Sequence, residues 1–157
     1  MKNLVSIFAG HDASVSFWNA ETNKYYSIEI ERLVKKRYFR LHADNSPEYQ
    51  MEVLEQCRDI AEKEWGIEND YEAVLICSDG YVEVDPRQVF NTNTVQTVAM
   101  HHHTHAAAAF YMSPFSQALI VSYDGGGDDG HFNIFAGSQK GIQLLEKLPS
   151  DFGGGYL

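Results

Sequence analysis

The sequence has 157 residues, of which 44% are hydrophobic, and this is enough for one globular domain with a buried core. Its formal net charge of −10 at pH 7 argues against nucleic acid and anionic membranes as partners, because the protein would repel a polyanion. The amino-terminal segment lacks the apolar run and cleavage pattern of a signal peptide or membrane span, so we expect a cytoplasmic protein.

The first part of the sequence predicts a β-meander followed by a basic segment. An apolar run over 4–9 predicts a buried strand, and alternating apolar and polar residues predict two more strands over 13–19 and 25–31. The segment 32–40 then concentrates positive charge in an otherwise acidic chain, and it contains Arg32, Lys35, Lys36, Arg37 and Arg40. Such a group can bind a phosphate or carboxylate, or it can simply be a solvated face.

A long helix and two strands are predicted next. Ser46 and Pro47 form a helix start, apolar residues then recur at helical spacing, and Gly66 is expected to end the helix. Apolar runs predict strands over 71–79 and 94–100. Both cysteines lie in these apolar patterns without metal-binding spacing, so we expect them to be reduced core residues.

The last part of the sequence predicts a short alanine-rich helix and three strands. The helix is predicted over 104–112, with the histidine run HHHTH of residues 101–105 at its start. Strands are predicted over 117–124, 131–137 and 142–148, and the turn GGGDDG separates the first two. The ending SDFGGGYL stops where a further helix would be expected, so the chain is predicted to be part of a larger domain of mixed α/β class.

The histidine run suggests a metal site. His101 and His105 are one helical turn apart, so both imidazoles point from the same face and can bind one transition-metal ion. No glutamate follows the first histidine, which excludes HExxH chemistry, and a third ligand, expected to be a carboxylate, is needed. Taken alone, the run is more typical of a solvated helix start than of a metal site, whereas a purification tag is disfavoured because the run is internal. His102 and His103 are expected to support the ligands or to face solvent.

Two aspartates at the ends of predicted strands are candidates for the remaining chemistry. Asp124 ends a strand predicted to be buried, and ligands of open α/β sheets usually lie at such carboxyl ends. Gly125 and Gly126 follow it, and glycine lets a phosphate approach the backbone closely. Asp12 stands in a similar turn, GHDAS, after the first strand. Alone, GGGDDG is more typical of a hairpin turn, and GHDAS is equally consistent with one. The sequence contains no GxSxG, Walker A or GxGxxG motif.

Taken in order, four segments resemble the NodU/CmcH-type O-carbamoyltransferases. They are GHDAS, IERLVKKR, the stretch from HHHTHAAAAF through SPF to DGGGDDGHF, and GGGYL, of which the histidine-containing stretch is the specific one. The resemblance implies an ASKHA/ribonuclease H-like lobe with a mixed sheet, an N-terminal β-meander and flanking helices, related to the tRNA threonylcarbamoyl transferases. It implies that residues 1–157 form a single domain, the first lobe of the family's first domain, without the second lobe or the carbamoyl-adenylate-forming domain.

The resemblance also implies a reaction. In the family, ATP and carbamoyl phosphate give carbamoyl adenylate, and the ASKHA-like domain transfers the carbamoyl group to a hydroxyl of a small acceptor with help from a divalent metal, preferably Fe²⁺. We expect the chain to be inactive alone, and its uncovered lobe face to self-associate or to need a missing partner. Two alternatives remain open: a non-catalytic ASKHA-like nucleotide-binding, metal-binding or assembly module, and a threonylcarbamoyl-type tRNA-modifying protein, which the negative charge disfavours.

The family's site residues carry over to single positions in this sequence. The implied metal ligands are His101, His105 and Asp124, and the implied catalytic residues are Asp12 and Asp124. The residues implied to bind the nucleotide or adenylate are Arg32, Lys36, Arg37, Gly125 and Gly126.

Overall fold

The computed structural model describes residues 2–41, 45–77, 82–98, 100–124 and 130–148. The chain divides into two compact units, Met1–Val98 and Ala99–Leu157. Each unit has its own sheet and its own apolar core. The division into two units does not test the expectation that residues 1–157 form a single domain, which stays a prediction.

The first unit contains a five-stranded mixed sheet. Its strands are β1 (Asn3–Phe8), β2 (Ser14–Asn19), β3 (Lys24–Glu29), β4 (Tyr71–Cys77) and β5 (Val95–Val98), in the order β3-β2-β1-β4-β5. β1, β2 and β3 form the predicted antiparallel meander, whereas β4 pairs in parallel with both β1 and β5. The fold class predicted from the sequence, a mixed α/β sheet with an N-terminal β-meander and flanking helices, is confirmed.

The long helix of the first unit, α2 (Pro47–Trp65), has the predicted ends. The hydroxyl of Ser46 accepts a hydrogen bond from the backbone N–H of Tyr49 at 3.3 Å, which satisfies one of the free N–H groups of the first turn. Gly66 has a φ of 63°, a left-handed conformation that glycine adopts without strain, and it ends the helix. Among the described residues, no helix is both long enough and apolar enough to cross a membrane.

A short helix, α1 (Ile30–Val34), was not predicted from the sequence. The pattern predicts a third strand that continues to Glu31, whereas β3 ends at Glu29. The backbone N–H of Ile30 still bonds the carbonyl of Ala13, and the fully buried Ile30 side chain then starts the helix. Lys35, with a φ of 57°, ends it after one turn.

The second unit contains one helix on a three-stranded antiparallel sheet. Its elements are α3 (His101–Tyr111), β6 (Gln117–Tyr123), β7 (Phe132–Ser138) and β8 (Gly141–Leu148), with the strand order β6-β7-β8. Ala106 and Phe110 of α3 pack against Ile120 and Phe135 of the sheet. Gly137 lies directly beneath Phe110, because a Cβ at this position would be 2.6 Å from Phe110 Cδ2. The helix therefore packs closely on the backbone of β7.

Two predictions for the second unit are wrong. The helix begins at His101 and not at residue 104, because the carbonyl of Met100 accepts hydrogen bonds from both the backbone N–H and the hydroxyl of Thr104, each at 2.9 Å. β6 is not a buried strand of an open α/β sheet. It lies at the edge of an antiparallel sheet, and Leu119 and Val121 are 70% and 56% exposed on the face opposite to Ile120. Its composition suggested burial because both faces of this strand are apolar.

Candidate metal centre

One turn of α3 brings His101 and His105 side by side. Their Nε2 atoms are 3.1 Å apart, and their ring centroids are 4.6 Å apart. Residues at i and i+4 share one face of a helix, so the sequence spacing alone produces this pairing once the helix includes residue 101. The His101 side chain is 11% exposed and that of His105 is 58% exposed, so the pair has an inner and an outer member.

Asp124, the residue after β6, adds a carboxylate to the two imidazoles. Its Oδ2 lies 2.9 Å from Nε2 of His101 and 3.5 Å from Nε2 of His105. The backbone N–H of Asp124 donates to the carbonyl of His131 at 3.0 Å, which extends the β6–β7 pairing by one residue and fixes the start of the loop. The ligand atoms of the three predicted metal ligands all lie within 4.8 Å of one another.

The triangle formed by these three atoms fits a divalent transition-metal ion. Its edges are 2.9, 3.1 and 3.5 Å. Neighbouring ligands around a metal with bonds of about 2.0–2.2 Å are separated by roughly 2.8–3.6 Å in octahedral or tetrahedral geometry. Two imidazoles and one carboxylate form the donor set of the facial triad, which is typical of non-haem Fe²⁺ and leaves positions open for other ligands. The same donors also bind zinc.

A groove within the second unit runs along two of these three residues. Its volume is about 290 Å³, and it is lined by His105 and Asp124 together with residues of α3 and β6. Two of the three α3 residues in its wall are alanines, Ala106 and Ala109, and the third is His105. The exposed side of the ligand cluster is therefore accessible to a small molecule.

In the first unit, Asp12 lies in the tight turn after β1. Its φ is 58°, a left-handed conformation that is uncommon for residues other than glycine. Its Oδ2 is 2.9 Å from Nδ1 of His11, and its side chain is about half exposed. Reasoning from the sequence did not single out His11, although its place beside Asp12 in the GHDAS motif was a usable signal. The structure thus supplies a carboxylate with an imidazole partner.

The basic segment lies beside this turn. The backbone N–H of Ala13 donates to the carbonyl of Phe39 at 3.1 Å, and the N–H of Leu41 donates to the carbonyl of Ala9 at 3.0 Å. These bonds connect both sides of the Asp12 turn to the end of the basic segment. Lys36 Nζ lies 5.7 Å from the centre of the Phe39 ring, within the range of a cation–π interaction.

The other predicted phosphate-binding residues have different surroundings. Arg32 forms an ion pair with Glu29, and the hydrogen bond and charge of that carboxylate raise the pKa of its guanidinium. The Arg37 guanidinium lies 5.6 Å from the ring centre of the next residue, a tyrosine. Gly125 and Gly126 lie outside the described residues. The cofactor-binding roles of these four residues and of Lys36 stay predictions.

Comparisons with known proteins give one significant sequence relative and a distant structural neighbour. No family profile matches the chain. Over 75 residues the chain is 35% identical to the nodulation protein NolNO of Sinorhizobium fredii (strain NBRC 101917 / NGR234), and this match covers 48% of the chain and 10% of NolNO. The chain thus matches about a tenth of the length of that protein. A glucokinase from an Antarctic psychrotroph is similar with a TM-score of 0.41 and 9% identity over 94% of the chain and 50% of the glucokinase, a likeness too weak to support a conclusion.

Proposed function

We propose that this chain, a relative of the NodU/CmcH-type carbamoyltransferases, forms part of a metal-assisted O-carbamoyl-transfer site. The similarity to NolNO supports a carbamoyltransferase at the level of the family. The finer proposal is that a carbamoyl group passes from carbamoyl adenylate to a hydroxyl of a small acceptor. The observation that carries it is the convergence of His101, His105 and Asp124 on one point beside an accessible groove.

The proposed transfer step needs a base for the acceptor hydroxyl. The hydroxyl oxygen attacks the carbamoyl carbon and forms a new C–O bond, while the bond from that carbon to the phosphate oxygen breaks and AMP leaves with the electron pair. Asp12 is the proposed acceptor of the hydroxyl proton. Its carboxylate is half exposed and therefore accessible, and Nδ1 of His11 beside its Oδ2 restricts its orientation.

The residues of the second unit are proposed to hold a divalent metal. His101 and His105 would hold the ion through the Nε2 lone pairs of neutral imidazoles, and the negative charge of the Asp124 carboxylate would offset part of the charge of the cation. A bound Fe²⁺ or a similar ion would supply Lewis-acid chemistry, since it would neutralise phosphate charge or polarise a carbonyl. The residues proposed to bind the adenylate phosphate are Arg32, Lys36, Arg37, Gly125 and Gly126.

The substrates and partners of the reaction are also proposals. ATP and carbamoyl phosphate are the proposed source of the carbamoyl adenylate, and the acceptor is a small alcohol. Because the chain matches only a tenth of NolNO, we propose that full activity requires further polypeptide and that the chain alone is inactive. The same observation keeps a second candidate, a non-catalytic ASKHA-like nucleotide-binding, metal-binding or assembly module.

An assay of AMP release separates these two candidates. The chain is incubated with Fe²⁺, ATP, carbamoyl phosphate and a panel of alcohols, alone and mixed with the products of neighbouring genes. The expected result is AMP release and carbamoylated alcohol in a mixture, lost with His105→Ala and kept with His103→Gln. Metal binding without transfer in any mixture would favour the non-catalytic module, and transfer unaffected by His105→Ala would contradict the metal-assisted mechanism.

A further inference from the structure

His102 is fully buried, although it lies between two histidines that are only partly buried. Its Nδ1 is 2.7 Å from the hydroxyl oxygen of Ser122, and its Nε2 is 2.8 Å from the carbonyl oxygen of Gly130. A carbonyl oxygen only accepts hydrogen bonds, so Nε2 carries the hydrogen and donates it to Gly130. In the neutral ring, Nδ1 then accepts the hydroxyl hydrogen of Ser122. Both ring nitrogens are therefore used inside the unit.

The two hydrogen bonds of His102 reach the chain on both sides of Asp124. Ser122 precedes Asp124 by two residues in the sequence. Gly130 directly precedes His131, whose carbonyl accepts the backbone N–H of Asp124 at 3.0 Å. On the helix, His102 is adjacent in sequence to one imidazole ligand and three residues before the other. One buried side chain thus connects the helix that carries the imidazoles to the hairpin that carries the carboxylate.

We infer that His102 is a positioning residue of the metal centre, an inference that rests on the proposed function. Apolar packing of Ala106 and Phe110 holds α3 on the sheet, but such contacts have no directional requirement. The half-exposed carboxylate of Asp124 loses conformational entropy when it is held within 3.5 Å of both imidazoles. Directional hydrogen bonds from His102 to the two flanking segments fix the carboxylate before metal binds, as partners of ligands do in other metal sites.

The competing explanation is that His102 is only a core residue. A buried polar ring must have hydrogen-bond partners, whatever its function, because an unpaired one is costly. The two explanations predict different results for metal binding in variants that stay folded. If His102 acts on the core alone, its replacement lowers stability and leaves the affinity of the folded protein for metal unchanged.

The test measures Co²⁺ binding to the 157-residue chain by its visible spectrum, which reports coordination geometry as well as affinity. His102→Leu removes both hydrogen bonds, Ser122→Ala removes one with little change in volume, and His103→Gln is the matched control on the same helix. We expect His102→Leu and Ser122→Ala to bind Co²⁺ about 10–100-fold more weakly than the wild type, with an altered spectrum. His102→Gln places an amide N–H toward Gly130 and is expected to recover part of the affinity.

The outcomes separate the two proposals. In one outcome, the wild type, His103→Gln, His102→Leu and Ser122→Ala all bind Co²⁺ equally well and with the same spectrum. The positioning role of His102 is then wrong, and the metal centre is supported. If the wild type binds no Co²⁺, the metal centre fails and the positioning role fails with it. Near-ultraviolet circular dichroism verifies folding, and if His102→Leu does not fold, the result for Ser122→Ala decides.

Discussion

Two imidazole nitrogens and one carboxylate oxygen lie at mutual distances of 2.9–3.5 Å beside the start of α3. Neutral imidazole nitrogens and a carboxylate oxygen carry lone pairs, so their convergence is favourable only when a proton or a cation lies among them. A transition-metal ion satisfies all three at once. At the scale of residues, this contact geometry is the strongest argument for the proposed chemistry.

The burial of Cys57 in the first unit can be tested by chemical modification. Cys57 is buried in α2, and desolvation raises the pKa of its thiol to about 12. Because only the thiolate reacts with iodoacetamide, we expect Cys77, which is half-buried, to be alkylated first at pH 8.5, and Cys57 only after unfolding. Mass spectrometry of the wild type and of Cys77→Ser gives the order of modification. Rapid alkylation of Cys57 in the folded chain would contradict the described core.

The raised pKa of Cys57 also predicts how the stability of the folded protein changes at high pH. An unfolded cysteine ionises near a pH of about 8.5, whereas folded Cys57 keeps its proton up to about 12. The folded state therefore holds more protons in this window, and its stability falls as the pH rises from the lower to the higher value. Cys57→Ala is expected to reduce this alkaline loss, as measured by urea denaturation at pH 8 and pH 10.

The sequence indicated the proposed ligands more readily than the residue that we propose to position them. His101 and His105 were predictable because their spacing equals one helical turn, and Asp124 because it follows an apolar run. His102 was expected to support the ligands or to face solvent, and its complete burial was not predicted. A usable signal was present, since residue 102 shares its helix face with the buried Ala106 and Phe110.

At the scale of elements, the close contact between α3 and β7 sets the distance of His101 and His105 from the sheet. A Cβ on Gly137 would lie 2.6 Å from Phe110 Cδ2 and 2.9 Å from Ile120 Cδ1. Gly137→Ala is therefore expected to push α3 outward, to lower the free energy of unfolding by about 1–3 kcal/mol, and to weaken metal binding. Denaturation and Co²⁺ titration measure both effects.

A second substitution in the same sheet serves as the control for Gly137→Ala. Gly141 also lies in the second unit, but a Cβ there would meet no atom within 4 Å, so Gly141→Ala strains only the backbone at a φ of 121°. It is expected to lower stability without changing metal affinity. Equal metal affinity in Gly137→Ala and the wild type would show that the helix position does not set the ligand geometry.

Elements with local signals were predictable, and elements determined by tertiary contacts were not. The ends of α2 follow from Ser46 and Gly66, which act within the helix itself. α3 begins without a side-chain cap at Met100, so its start could not be found from capping residues. α1 exists because Ile30 enters the core, and only the folded arrangement shows this burial.

At the scale of the whole molecule, the second unit exposes an apolar sheet face. Leu119, Val121 and Tyr123 alternate with buried residues along β6, and each is 45% exposed or more. Self-association or a missing partner stays a prediction from the sequence, and we propose that this face mediates self-association. The wild type is therefore expected to sediment as a concentration-dependent mixture in analytical ultracentrifugation, and Leu119→Lys with Val121→Lys to shift it toward monomer.

A matched control tests whether the effect belongs to this face. Tyr25 of β3 is also an exposed apolar strand residue, at 79%, but it lies in the first unit. Tyr25→Lys is expected to leave the association unchanged. A wild type that stays monomeric at all concentrations would contradict self-association through the β6 face.

The resemblance to the carbamoyltransferases could be recognised at this scale because the motifs that carry it are linear and ordered, from GHDAS to the histidine-containing stretch. The division into two units was not predictable, because strand patterns do not reveal which strands share a sheet. β6, β7 and β8 pair only with one another among the described residues, although the sequence predicts them in the same way as the strands of the first unit.

Metal binding by His101, His105 and Asp124 is tested most directly by an anaerobic Fe²⁺ titration of the 157-residue chain and of three variants. His105→Ala and Asp124→Asn each change one proposed ligand whose side chain is about half exposed, so folding is expected to persist, and His103→Gln is the control. The proposed metal centre implies one Fe²⁺ bound per chain in the wild type and control, and affinity lower by at least about tenfold in both ligand variants. Equal binding by all four proteins, or no binding by the wild type, would contradict it.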